Sequence, residues 1–553
     1  MAATKSAHPW KNYHPTVWGD FFITQVVPAT DEVVNGWNEE IEVLKSNIKK
    51  KLSYPLIKHV LERLRLVDAA QRLGVGYHFE KEIEQVLQQV YDENKNIYNI
   101  HDDNDLNTVA LRFRLLRQHG YNTSCDVFNK FKTGEGFKKE LTDDIEGMLN
   151  LYEAAYLRTR EESILGEAIE FTTAHLRAKV AEMETHVAER VTRALERPLL
   201  KVVERVEHLY FTSSAYVHLE GHDPVLLKLA KLNFNVLQHL YQDELRPLTE
   251  WWIKLDTPAK LPYARDKLVE TYFWALGGCY WEPKHSLAIH FATKITLIGT
   301  LLDDTYDIHG TIEDLDLFTA AIERWDTSAK GLKDYMIVLL DALVGIHDEI
   351  EAVTCKEGRP WCLDYMKRGL SNVARLYMEE ERVSQSNKGF VPTLEEYRHL
   401  SSLTTCFEWI AFSVLCGLGE SVPRSNFEWL ASSPEILIAS TDICRLQDDL
   451  ADNMKERELE YFASSVECYM KQYRVSRQEA VDGLKEIVEE DWMIMNEELL
   501  TNVPSHICKQ LPLVFLNLVR FMDTIYKDFD GYTHSSTRTK DILMALLVTP
   551  MAV

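Results

Sequence analysis

The chain has 553 residues, with 61 Lys and Arg against 86 Asp and Glu and a formal net charge of −25. Hydrophobic residues make up 46% and charged residues 27%, ordinary globular usage that argues against general disorder. The acidic balance argues against a nucleic-acid partner, and the sparse Gly and Pro (23 and 17 residues) argue against a many-stranded barrel or sandwich.

The opening residues, Met-Ala-Ala-Thr-Lys-Ser-Ala-His-Pro-Trp, carry no apolar signal region and no long Arg- and Ser-rich leader, so the expected location is cytoplasmic. From residue 56 onward, apolar side chains recur at three- and four-residue spacing, as in Leu56, Ile57, Val60, Leu61 and Leu64. That spacing predicts amphipathic helices along almost the whole chain, more than 20 of them. Residues 174–197 read as one long charged helix. Glu220-Gly221-His222-Asp223-Pro224 is a polar break between two helical runs, which predicts an N-terminal domain over 1–222 and a C-terminal domain over 223–553.

The second half holds every feature that looks like chemistry. Residues 261–267, Leu-Pro-Tyr-Ala-Arg-Asp-Lys, offer Arg265 and Lys267 as partners for a departing anion. The apolar run 295–302 leads into Asp303-Asp304-Thr305-Tyr306-Asp307, and Gly310 then stops the helix. On a regular helix Asp303 and Asp307 share a face, one turn apart, with Gly299 one turn earlier leaving open space. Carboxylates in a last helical turn face the negative end of the helix dipole, at a cost of about 0.3–1 kcal/mol each that a bound cation reverses.

Thr404-Thr405-Cys406 interrupts another apolar run and predicts a helix break; ordinary Thr packing is the competing reading. The longest apolar stretches, 410–418 and 542–548, are too short to span a bilayer. Cys444-Arg445 then precedes Asp448-Asp449-Leu450-Ala451-Asp452-Asn453-Met454-Lys455-Glu456. There Asp448, Asp452 and Glu456 fall at i, i+4 and i+8. Two acidic faces with only oxygen donors favour Mg²⁺ or Mn²⁺ over zinc and predict metal-bridged diphosphate binding between helices. Trp274, Tyr280, Trp281, Phe407, Trp409, Tyr526 and Tyr532 are either core or cation-facing rings. Residues 527–541 read as a mobile loop. The nine cysteines include no C-x-x-C pair and read as reduced thiols.

In these motifs the chain resembles the plant terpene synthases, in particular the cytosolic sesquiterpene synthases of angiosperms. The resemblance runs over nearly the whole chain. It includes residues 12–22 (Asn-Tyr-His-Pro-Thr-Val-Trp-Gly-Asp-Phe-Phe), residues 72–79 (Arg-Leu-Gly-Val-Gly-Tyr-His-Phe), the R-x-R region at 265–267, D-D-x-x-D at 303–307, the second metal motif opened by residues 444–449, and Asp530-Gly531-Tyr532-Thr533. It implies two α-helical domains, an all-α class I isoprenoid synthase, and three Mg²⁺ ions. Asp303 and Asp307 would bridge two ions to a prenyl diphosphate; Asp448, Asp452 and Glu456 would hold the third. Arg265 and Arg445, with Lys267, would take the released diphosphate. Trp274, Tyr526, Asp530 and Tyr532 would serve catalysis, and Thr404, Thr405 and Phe407 would face the substrate.

The chain departs from the family pattern in three places. Asp452 stands where Ser or Thr is usual, Lys267 replaces the second arginine, and the arginine-rich motif before Trp18 is absent. The implied reaction is ionisation of farnesyl diphosphate and cyclisation to a C15 product by a monomer that needs no membrane span and no nucleic acid. A monoterpene synthase, a chain-elongating prenyltransferase and a non-catalytic helical relative are the alternatives.

Overall fold

The computed structural model describes residues 16–53, 60–95, 105–134, 136–326, 328–386, 391–453, 464–527 and 529–553, leaving aside the side chains at 94–95, 384–386 and 452–453. The fold is all-α. Among the described residues, 24 α-helical segments alternate with single 3₁₀ and π turns, and the one sheet pairs Lys132–Thr133 antiparallel with Gly136–Phe137.

The chain divides into two compact units. One comprises Pro28–Leu240, Met493–Val503 and Met544–Val553; the other comprises the residues up to Val27, Tyr241–Trp492 and Pro504–Leu543. The polar break expected near residue 222 is a turn with Gly221 at φ +74°, and a helix opens directly after it at Pro224 and runs to Leu255.

In the first unit, which we call the N-terminal unit, the helix Leu106–Gln118 is buried on nearly all sides, Arg112, Arg114 and Arg117 included. Its guanidinium groups are paired: Arg114 Nη2 lies 2.7 Å from Asp68, and Arg117 bonds Glu162 and the Thr123 and Leu157 carbonyls. The single helix expected over 174–197 is instead two, Ser163–Lys179 and Thr185–Glu196, parted at Met183 by extended backbone. Leu176 joins Val191 and Ala194 in one apolar cluster with Met148 and Tyr152. A straight helix would hold Leu176 and Val191 about 22 Å apart. Burial of both on one cluster therefore outweighs continuation of the helix.

The second unit is built around the helix Ser286–Asp304, buried from Ala288 to Leu302 except at His290. Apolar residues all round a helix mark one enclosed by others. Here the neighbours include Leu268–Gly278, Asp334–Lys356 and Phe407–Gly417. Phe407–Gly417 approaches so closely that a Cβ on Gly417 would stand 2.4 Å from the Ala288 Cα, so only glycine fits. Leu394–Gly417 is the one helical stretch among the described residues long and apolar enough to cross a bilayer, with a mean hydropathy of 1.3. However, 78% of its most apolar 18-residue window is buried inside the protein, as in a core helix.

Candidate active site

A cavity of about 470 Å³ opens in the second unit. Thr296, Gly299, Thr300 and Asp303 line it from one face of Ser286–Asp304, at i, i+3, i+4 and i+7. Cys444, Arg445 and Asp448 line it from Glu435–Asn453, joined by Arg265, Trp274, Tyr377, Thr404, Thr405, Cys406, Ile410, Tyr526, Asp530, Tyr532, Thr533 and His534.

The helix carrying the first acidic motif does not run on to Gly310. It ends at Asp304, and Thr305–His309 forms a wider π turn in which Gly310 N bonds Thr305 O at 2.9 Å. The expected regular spacing of Asp303 and Asp307 is thereby changed. Buried anchors hold the turn: Thr305 Oγ1 donates to Leu301 O at 2.6 Å, and Tyr306 OH meets Thr319 Oγ1 at 2.7 Å. Such turns are frequent at functional sites.

The two aspartates of each Asp-Asp pair have separate tasks. Asp303 lines the cavity; Asp304 is buried and grips Arg265, accepting from its backbone N at 2.8 Å and lying 2.9 Å from its Nε. Arg265 Nη2 then reaches Asp303 at 2.7 Å. Likewise Asp448 lines the cavity, whereas Asp449 is buried and accepts from Tyr397 OH at 2.8 Å and Ser465 N at 2.9 Å. Arg445 spans from one acidic helix to the break at 402–406. It donates to Ser401 O at 3.0 Å and Thr404 Oγ1 at 3.2 Å, with Asp448 Oδ2 at 3.4 Å.

That break is formed as expected. A 3₁₀ turn, Leu403–Thr405, leads to Cys406 at φ +64°, left-handed backbone unusual for a residue with a side chain, before Phe407–Gly417 begins. Cys406 Sγ lies 3.2 Å from Tyr377 OH.

The site is crowded with negative charge. Burial, and next the Asp303 charge, push the Asp304 carboxyl up against the pull of Arg265. Asp307 is open to solvent on one side, yet loss of water around its carboxylate and then the charges of Asp303 and Glu380 raise it well above the usual carboxylate range. Burial raises Glu380, with Asp303 adding to the rise and Arg445 opposing it. Burial, then Asp448 and Asp530, push the Tyr526 phenol up. A divalent cation among these acids would relieve the repulsion, and every donor is an oxygen, so the residues fit Mg²⁺. Among the described residues no three His, Cys, Asp or Glu side chains converge as a closed ligand set. An open set is the normal state for Mg²⁺, which fills its sphere with water and substrate phosphate.

Of the residues singled out in the sequence, Arg265, Trp274, Asp303, Thr404, Thr405, Arg445, Asp448, Tyr526, Asp530 and Tyr532 meet in the cavity. Asp307 stands outside its lining, beside Asp303. Phe407, Trp281 and Trp409 are buried and do not line the cavity. Lys267 points to the segment 533–535. The Asp452 side chain and all of Glu456 lie outside the described residues, as do Asn12 to Pro15. The segment 527–541, expected to be mobile, is tied down at several points. Asp530 accepts from the backbone N of Tyr532 and Thr533, and Thr539 Oγ1 donates to Gly531 O at 2.9 Å. Thr296, Thr300, Tyr377, Ile410 and His534 were not singled out. The helical spacing from Asp303 could have found Thr296 and Thr300; nothing local marks Tyr377.

Comparison with known proteins agrees with this geometry. Residues 17–195 match the terpene synthase N-terminal domain, and residues 253–494 match the terpene synthase family metal-binding domain. The chain is 41% identical over 544 residues to a (−)-germacrene D synthase of Vitis vinifera, covering 98% of this chain and 96% of that protein. It is 42% identical over 549 residues to sesquiterpene synthase 2 of Toona sinensis, with the same coverage. The crystal structure of isoprene synthase from grey poplar (Populus x canescens), in complex with three Mg²⁺ ions and dimethylallyl-S-thiolodiphosphate, superposes with a TM-score of 0.86 at 29% identity, covering 94% of this chain and 98% of that one. A cavity flanked by two acidic helices, within a chain matched along both halves, leaves one assignment: the protein belongs to the plant terpene synthase family, enzymes that act on prenyl diphosphates.

Proposed function

We propose that the protein is a Mg²⁺-dependent sesquiterpene synthase that ionises farnesyl diphosphate, guides the cation to a C15 product and releases diphosphate. The observation that carries this reading is the meeting of Asp303 and Asp448, from two helices, with Arg265 and Arg445 in one cavity that also holds Trp274, Ile410, Tyr526 and Tyr532. The relatives described as a germacrene D synthase and a sesquiterpene synthase support the C15 assignment. Asp303 and Asp307 on one side, and Asp448, Asp452 and Glu456 on the other, would hold three Mg²⁺ ions, the number found in the isoprene synthase complex. Bound there, the ions neutralise charge developing on the leaving diphosphate.

The chain's own residues do the rest. Asp304 holds Arg265 with its Nη2 toward Asp303, and Ser401 O and Thr404 orient Arg445. Both guanidinium groups are then directed at the released anion, for which their planar forks suit bidentate binding. The Trp274 ring, stacked on Phe521 at 5.4 Å, offers a face to passing cations, an attraction of about 0.5–2 kcal/mol. Thr404, Thr405 and the backbone bent at Cys406 line the wall along which the chain folds. Segment 530–535 excludes water and so prevents early capture of the cation.

The reaction is assigned to residues 223–553, since every lining residue falls between Arg265 and His534, in a protein we take to act as a cytoplasmic monomer. Incubation with farnesyl diphosphate and Mg²⁺, beside an EDTA control, followed by gas chromatography–mass spectrometry, tests the reading. Metal-dependent C15 hydrocarbon or alcohol is expected. Release of a C10 product from geranyl diphosphate alone would overturn the C15 assignment. Consumption of isopentenyl diphosphate would identify chain elongation instead.

A further inference from the structure

Residues 265–267 lie just before a helix, and the backbone at Lys267 (φ −132°, ψ 30°) is not that of a strand, so Arg265 and Lys267 do not share a face as i and i+2 would on extended chain. Arg265 goes to the acidic helix at Asp303 and Asp304, whereas Lys267 goes the other way. Its ammonium is buried at 5% exposure and donates to Thr533 O at 3.0 Å and Ser535 Oγ at 3.2 Å. Glu270, one turn on and buried, accepts from the same Ser535 hydroxyl and lies 3.8 Å from the ammonium.

The same helix face continues the grip. Thr271 Oγ1 meets Tyr532 OH at 2.8 Å, and the Trp274 ring packs edge-on against the Tyr532 ring at 5.4 Å. Tyr532 OH also reaches Thr300 Oγ1 at 3.0 Å, on the helix that carries Asp303. Lys267, Glu270, Thr271 and Trp274 stand at i, i+3, i+4 and i+7, so one stripe holds residues 532–535 along its whole length. The donors of an ammonium radiate from a point and can take a carbonyl and a hydroxyl at once in a closed space, which a planar guanidinium does less readily. Lys267 does not line the cavity, but Thr533 and His534, which it fastens from behind, do.

We propose that Lys267 is a positioning residue that latches residues 532–535 over the cavity through Thr533 and Ser535, and that it does not bind the substrate diphosphate. The inference rests on the reading of the cavity as a prenyl diphosphate site, but its first test needs no substrate. The latch acts by keeping water from the cation, so its loss appears in what is made as well as how fast.

The test compares the whole protein with Lys267→Met and Ser535→Ala, the second leaving the ammonium in place. Without substrate, hydrogen exchange at the amides of residues 531–535 is expected to rise about tenfold in Lys267→Met and less in Ser535→Ala, the effect of one or two buried hydrogen bonds. Affinity for inorganic diphosphate with Mg²⁺ is expected to stay within about twofold, because no phosphate contact is lost. With farnesyl diphosphate, kcat falls more than KM rises, and the share of water-captured acyclic alcohol grows in both variants.

Unchanged exchange at 531–535 in both variants would overturn the latch. A loss of diphosphate affinity of about tenfold in Lys267→Met would overturn it too, by returning Lys267 to the anion site. Failure to turn over farnesyl diphosphate would strike only the C15 assignment, since the exchange and inorganic diphosphate measurements stand without it.

Discussion

Carboxylates paired with arginine in the N-terminal unit and those around the cavity meet opposite surroundings. In the N-terminal unit two such acids have their own guanidinium, Glu162 with Arg117 and Glu146 with Arg190, whereas Glu153, bonded by Leu199 N, is pushed up by burial to about 7. Against the upward push of burial, those arginines hold Glu162 and Glu146 below the usual carboxylate range. Around the cavity, burial and mutual repulsion raise Asp304, Asp307 and Glu380 together, and Arg265 and Arg445 offset this only in part. Paired acids cement a fold, whereas crowded acids keep a charge deficit that a ligand can fill. The same residue types are thus structural at Glu162 and Glu146 and available for chemistry around the cavity.

The comparison can be broken most directly at Arg117. Its side chain is 3% exposed and bonds two carbonyls as well as Glu162, so Arg117→Ala leaves buried groups unpaired and should cost about 3–5 kcal/mol. Urea unfolding measures it, with turnover per folded molecule unchanged. A stability loss below 1 kcal/mol would make the pair no better than a surface one.

Asp303→Asn tests the other side. It relieves crowding, so the melting temperature should hold or rise, while turnover falls by about 100-fold or more, at least what loss of a metal ligand's supporting partner costs. Full activity in the folded variant would remove Asp303 from the metal assignment.

A third effect sharpens the comparison through a buried base in the cavity-bearing unit. His347 is fully buried against Trp325 and Trp409, its Nδ1 toward Leu343 O at 2.8 Å, and burial pushes it down to about 4. Its folded pKa lies below the unfolded value, so the unfolded chain takes up the proton first. Stability is then lost as pH falls from about 6.5 toward 4, by about 2 kcal/mol at pH 5. His347→Asn should flatten that limb of the stability–pH curve; an unchanged slope would assign acid sensitivity elsewhere.

The smallest effect is expected at Gly299. An added Cβ would lie 3.7 Å from Cys406 Sγ, an ordinary contact, so Gly299→Ala should gain about 0.5–1 kcal/mol of helix stability. It also narrows the cavity wall, and the product ratio by gas chromatography should shift. An identical product profile would show that the substrate does not touch this wall.

Much of the site was legible in the sequence because helical spacing and residue type are local. Apolar periodicity predicts helices along the chain, Asp303 and Asp448 sit on the two helices that flank the cavity, and the break at Thr404–Thr405–Cys406 occurs where it interrupts an apolar run. The errors came where distant contacts outbid local pattern. Residues 174–197 split because Leu176 and Val191 share one cluster, and the turn after Asp304 widens around buried Thr305 and Tyr306.

The sequence by itself determined the all-α class, the two acidic motifs, their oxygen-only chemistry and the family they resemble, since each depends on residues near one another along the chain. Only the tertiary structure decided what the second aspartate of each pair does: Asp304 holds Arg265, and Asp449 bonds Tyr397 and Ser465. It also decided that Tyr377 lines the cavity, that Phe407 does not, and that Lys267 bonds Thr533 and Ser535. These depend on which helices meet and at what rotation, and packing sets that across hundreds of residues, beyond the reach of any local spacing.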